Sequence, residues 1–271
     1  MIDLIDYLKD QHDDLEKRTG NYKIFSCDPF PTSAIVYGST GKENSTKIHA
    51  DLLPQPVVGD LKNAKIIICS LNPGYCDEDY YVENLALAKL HGYPYYRDIL
   101  LDQLDQSKNN TFFWLTESPK KSGGAKWWQG RLDQNNPKLS LVNNIFEAYK
   151  KNGVMKKKEE VWEMLSRIMA AIELFPYHSK SMDKNLLKSC RSVEVVRDYV
   201  LDDLIPRAKK EDRLICFTRS FKEWGVAKKK LPPNVIINKS VRNISFSVKS
   251  HLGRAIFDHI EKLSNQFTKK L

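Results

Sequence analysis

Four short apolar runs, separated by segments of helical period, constrain this chain more than any other feature. The runs lie at 65–71 (KIIICSL), 170–175 (AAIELF), 213–217 (RLICF) and 234–238 (NVIIN). They are rich in β-branched residues and too short for helices, so they read as strands. Helical periodicity appears at 81–91, 95–106, 141–151, 158–169, 192–209 and 250–264, with Ser192 and Ser250 as plausible starts. Strands that alternate with helices require crossover connections, and hence a parallel sheet covered on both faces. Near-continuous hydrophobicity in KIIIC and LICF suits strands buried on both sides. The expected fold is a three-layer α/β/α domain around a mainly parallel four-stranded sheet.

That domain is expected to span residues 51–271. Residues 1–50 read as an amphipathic helix followed by an irregular extension with a strand candidate at 34–37. The 41% apolar content, with 12 Gly and 12 Pro in 271 residues, excludes disordered, collagen and coiled-coil classes. No apolar run approaches the roughly 18 residues of a membrane span, so no membrane partner is expected. The acidic start, MIDLIDYLKDQHDDLEKR, lacks the features of a secretory signal, which points to the cytoplasm. Five cysteines (27, 69, 76, 190, 216) form an odd set without a CxxC pair. Neither a disulfide framework, a metal site nor a cofactor is expected, and nothing in the sequence calls for more than a monomer.

The positive charge is regional. Between residues 206 and 254 stand thirteen basic and three acidic residues, an excess of ten against +9 for the whole chain. Such a segment suits a polyanion such as DNA. A solvated lysine face, above all at Lys228, Lys229 and Lys230, is the bland alternative.

Ligands of open α/β sheets bind beyond the carboxyl ends of the strands. The segments to inspect are therefore SLNPGY (70–75), FPYHS (175–179), TRSF (218–221) and KSVRN (239–243). GSTGKE at 38–43 lacks the spacing of a phosphate loop, and HExxH, GxSxG and GxGxxG are absent. Asn72-Pro73-Gly74 is the most informative tripeptide. Pro73 fixes φ and Gly74 permits a left-handed turn, so the Asn72 amide is held at the sheet edge.

The order PxPxxGD (54–60), strand, LNPGY, FPYHS, Arg-Ser and a basic turn resembles the uracil-DNA glycosylase superfamily. The strand-NPG element is similar to the first motif of its mismatch-specific and single-strand-selective branches. The segment 112–132, with GGAKWW at 123–128, resembles a bacterial branch that carries a GG-x-x-WW element. The two tryptophans read either as core or, with a Gly-Gly hinge, Lys126, Gln129 and Arg131, as a loop that stacks on bases and touches phosphates.

This resemblance implies a monofunctional DNA glycosylase that flips a base into a pocket at the sheet edge. Asn72 would orient the attacking water, since an amide cannot deprotonate it. His178 would donate to the base as charge develops, or else cap a turn. Gly74 stands where the uracil-restricted branch has Tyr, which implies room for 5-substituted pyrimidines. Tyr75, Phe175 and Tyr177 would complete the base pocket. Arg219, Ser220, Arg242, Asn243, Lys126 and Arg131 would contact DNA. The chain departs from the superfamily in lacking Asn after the second strand and His-Pro-Ser near Arg242. A non-catalytic DNA-binding module, or an enzyme on free nucleosides or nucleotides, are the competing readings.

Overall fold

All four expected strands form, in one sheet, and a fifth joins them. The computed structural model describes residues 3–18, 23–38, 46–119, 122–226, 231–238 and 244–268. In chain order these hold α1 (Leu4–Lys17), β1 (Ile35–Val36), β2 (Ile48–His49), β3 (Val57–Val58), β4 (Ile66–Ser70), α2 (Asp77–Glu83), α3 (Leu85–His91) and α4 (Arg97–Asp102). There follow α5 (Gly123–Leu132), α6 (Leu141–Lys151), α7 (Glu159–Ile168), β5 (Met169–Glu173), α8 (Arg191–Asp198), α9 (Ile205–Ala208), β6 (Leu214–Phe217), β7 (Val235–Ile237) and α10 (His251–Thr268). One π-helical turn, Tyr199–Leu204, joins α8 to α9.

The sheet order is β3-β5-β4-β6-β7, and β4, β5, β6 and β7 run parallel. The sheet thus has five strands rather than four. The extra strand, β3, lies antiparallel to β5 at the edge. It escapes a periodicity search because only Val57 and Val58 pair, between Pro56 and Gly59. Prolines belong on such edges, where no ladder hydrogen bond is lost. Gly59 has φ +96, and a Cβ there would lie 2.7 Å from the Met169 carbonyl oxygen, so no other residue fits without a shift. The strand candidate at 34–37 becomes β1, which pairs with β2 in a separate two-stranded sheet.

Every residue of β4, β5 and β6 is buried, as a sheet flanked by helices on both faces requires. α1 contributes Leu4, Leu8 and Leu15 to the same apolar core as these strands. Asp28 fastens the N-terminal region further. It is buried and accepts from Tyr177 Oη at 2.6 Å and from Ser192 backbone N at 3.0 Å in the first turn of α8. α8 therefore draws its anionic cap from a distant segment, where the expected start was Ser192 itself. Ser250 meets its expectation: its Oγ accepts from Gly253 N at 3.0 Å at the start of α10.

Candidate active site

Three adjacent parallel strands end side by side, and the register sets polar residues next to one another there. Ser70 of β4 pairs with Glu173 of β5. Ser70 Oγ lies 3.4 Å from Thr218 Oγ1, just beyond β6. Past these ends opens a cavity of about 410 Å³, within the range of small-molecule sites. Asn72, Glu173, Asp79, His178 and Arg219 line it, as do Tyr75, Trp127 and Arg131.

Asn72 is 8% exposed, and its amide is oriented. Nδ2 donates to the Ser179 carbonyl at 3.1 Å and lies 3.3 Å from Ser179 Oγ. With Nδ2 engaged on Ser179, Oδ1 is the side chain's remaining acceptor, on a residue that lines the cavity. Gly74 follows with φ +78, and a Cβ at this position would meet nothing within 4 Å. The turn thus combines a left-handed backbone with open space beside it.

His178 holds this turn from the other side, with Nδ1 2.9 Å from the Gly74 carbonyl. A carbonyl only accepts, so Nδ1 carries the proton. Burial lowers the ring pKa to about 4, so the imidazole is neutral near pH 7. Its first duty in the fold is to fix the turn. Asp79 Oδ2 accepts from Cys76 N at 2.8 Å and caps α2. Burial raises its carboxyl to about 6, against the pull of that hydrogen bond.

Glu173 is the most perturbed acid on the cavity wall. It is 7% exposed, and its Oε2 has no hydrogen-bond partner among the described residues. Burial raises its carboxyl to about 8 although the Arg219 charge opposes the shift, so it is protonated near pH 7. Arg219 is itself incompletely satisfied, for its buried Nε makes no hydrogen bond among the described residues. Ser220, next in the chain, adopts φ +58, an uncommon conformation for a non-glycine residue.

Gly123 and Gly124 do not form a loop hinge. Residues 123–132 form α5, and the pair Gly123-Gly124 at its start allows close approach. A Cβ on Gly123 would lie 1.9 Å from Cys76 Sγ, and one on Gly124 would lie 2.8 Å from the Trp114 ring. Trp128 is buried and stacks on Phe246, with ring centroids 6.0 Å apart. Trp127 remains 37% exposed and lines the cavity. Arg131 lies over the Trp127 ring at 5.7 Å and donates to the Ile244 carbonyl at 2.9 Å. Gln129 is spent on the Trp114 carbonyl, at 3.0 Å.

The structure brings Asn72, Gly74, Tyr75, His178, Arg131 and Arg219 to one cavity. Tyr75 stacks on His49 at 3.6 Å, with Lys180 over its ring at 5.4 Å. Phe175 and Tyr177 are fully buried and do not line the cavity; they pack against Phe30. Lys126 lies off the cavity, paired with Glu78 at 2.9 Å. Ser220 is likewise outside the lining. Arg242 and Asn243 fall outside the described residues, as do Lys228, Lys229, Lys230 and most of the GSTGKE turn.

Part of the basic segment is neutralised internally. Arg207 pairs with Asp203 and Glu211, Arg213 with Glu211, and Arg254 with Asp258. The excess of ten in the sequence therefore does not amount to ten open charges.

Sequence reasoning missed Glu173, Asp79 and Lys180. The signal for Glu173 was present, since one acid inside the run MAAIELF is rare in a strand buried on both faces. Asp79 and Lys180 carry no such mark. No family model, curated protein or solved structure matches the chain. Among the described residues, no helix is long and apolar enough to cross a membrane.

Proposed function

We propose that this protein is a monofunctional DNA glycosylase that hydrolyses the N-glycosidic bond of a modified or mismatched, 5-substituted pyrimidine, in DNA repair or in defence against phage with modified DNA. The observation that carries the reading is Asn72: a cavity-lining side-chain amide just past the carboxyl end of the central strand, with its nitrogen fixed by Ser179.

Cleavage of an N-glycosidic bond passes through an oxocarbenium-like state that a water molecule captures. Asn72 Oδ1 accepts a hydrogen bond from that water and holds it in line, and an amide does no more than this. The base enters the cavity after leaving the duplex. Trp127 and Tyr75 supply aromatic surface to its lining, the Tyr75 ring already stacked on His49. Gly74 supports tolerance at the pyrimidine 5-position, because open space takes the place of a side chain there. Arg219 and Arg131 supply positive charge to the phosphate or to the departing base. Within this reading the domain is a three-layer α/β/α sandwich of the glycosylase kind.

Single-turnover incubation with duplexes that carry uracil, thymine or 5-substituted cytosines, followed by alkaline cleavage, tests the proposal. Strand breaks that require both alkali and Asn72 support it. Tight, salt-sensitive DNA binding without breaks on any substrate would replace it with a non-catalytic binding module.

A further inference from the structure

An amide at the water leaves the reaction without a base of any strength, so the leaving group must carry the difficulty. The cavity wall holds the residue for this. Glu173 ends β5 next to Ser70 in the sheet register, lines the same cavity as Asn72, and has a buried Oε2 without a hydrogen-bond partner among the described residues. Arg219, whose charge opposes the effect of burial on this carboxyl, lines that cavity too. A buried acid on a cavity wall with hydrogen-bonding capacity that no described residue uses is arranged for a ligand.

We propose that Glu173 donates a proton to the base as it leaves, and that the cavity therefore favours cytosine-type pyrimidines, in which an amino group stands beside a basic ring nitrogen. The inference rests on the glycosylase reading and deepens it. A protonated carboxyl matches this edge with two hydrogen bonds: its O–H donates to N3 and its carbonyl oxygen accepts from the exocyclic amine. In the reaction the O–H proton passes to N3. The C1′–N1 bond breaks and its electron pair goes to N1, so the base departs uncharged. The water on Asn72 adds to C1′ and loses a proton, which restores the Glu173 carboxyl directly or through solvent. Uracil and thymine already carry hydrogen on N3 and leave as anions, so this transfer does not serve them. Glu173 is protonated below about pH 8, as a donor at neutral pH must be.

The test measures single-turnover release of a 5-substituted cytosine and of 5-fluorouracil, a base that leaves readily without a proton. Wild type and Glu173→Gln are compared on both. The variant is expected to lose about 10²- to 10⁴-fold on the cytosine, as general acids do, and less than about tenfold on 5-fluorouracil. The wild-type rate on the cytosine is expected to stay level up to about pH 8 and to fall about tenfold per unit above it. That profile needs no variant. Equal losses on both bases, no loss on either, or a cytosine profile without the alkaline fall would overturn the assignment. Asn72-dependent release of uracil-type bases alone would overturn it and leave the glycosylase reading intact, whereas no release of any base would overturn both.

Discussion

Glu173→Gln should stabilise the protein at neutral pH, by an amount the structure sets. The carboxyl is protonated in the native state up to about pH 8 and ionises near 4.5 in the unfolded chain. Between these values the native state holds a proton that the unfolded state has released. Native stability is therefore greatest below about pH 4.5, falls as pH rises through this window and levels off above about 8. The slope is about 1.4 kcal/mol per pH unit. At pH 7 the accumulated cost is about 3 kcal/mol, rising to about 5 kcal/mol above pH 8. A glutamine has nearly the same shape and does not titrate, so it removes that cost. Urea denaturation of both proteins from pH 4.5 to 8.5 gives the difference directly, since the midpoint shifts in proportion to stability. The gap should be small at pH 4.5 and grow in favour of the glutamine variant by about 3 kcal/mol by pH 7. A gap that does not vary with pH would refute the burial of an uncompensated carboxyl. Such a cost is what a binding or catalytic acid imposes on a fold.

Three further outcomes follow from the same geometry. Gly124→Ala pushes a methyl to 2.8 Å from the Trp114 ring, and thermal melting should show a loss of about 1–3 kcal/mol, as for other overpacked cores. His178 is held near 4 while an unfolded histidine titrates near 6.5. Relative to His178→Gln, wild-type stability should fall by about 1.4 kcal/mol per unit as pH drops through that window in urea titrations. Arg131 lies at the cavity with one N–H on a backbone carbonyl; if it contacts phosphate, Arg131→Ala lowers the slope of log affinity against log salt for duplex DNA by about 1.

The strands and most of the helices were legible because they depend on hydrophobic period alone. The runs around Ile66–Ser70, Met169–Glu173, Leu214–Phe217 and Val235–Ile237 pack apolar residues so densely that only a doubly covered sheet accommodates them. α5 was not legible: Gly-Gly at its start argues against a helix, and only the proximity of Cys76 and Trp114 explains why small residues are needed there. β3 was hidden for the opposite reason, since its two residues exist as a strand only through pairing with β5. At the site, Asn72 and Gly74 could be read from the chain because Pro73 and Gly74 dictate the local backbone. Phe175 and Tyr177 could not be placed by position alone. β5 ends at Glu173, so its alternation does not extend to them, and both rings pack into the core beside Phe30. Glu173 was overlooked among apolar neighbours, although an isolated acid in such a run is itself the mark of a candidate site.

The most direct measurement is mass spectrometric detection of free base in a single-turnover reaction between excess protein and duplexes carrying one modified pyrimidine each, with wild type and Asn72→Ala in parallel. We expect free base and an intact abasic strand from wild type, with a rate about 10²- to 10³-fold lower or undetectable in the Asn72 variant. Base release that is unchanged in Asn72→Ala, or no release from any duplex by a protein that still binds DNA, would contradict the account.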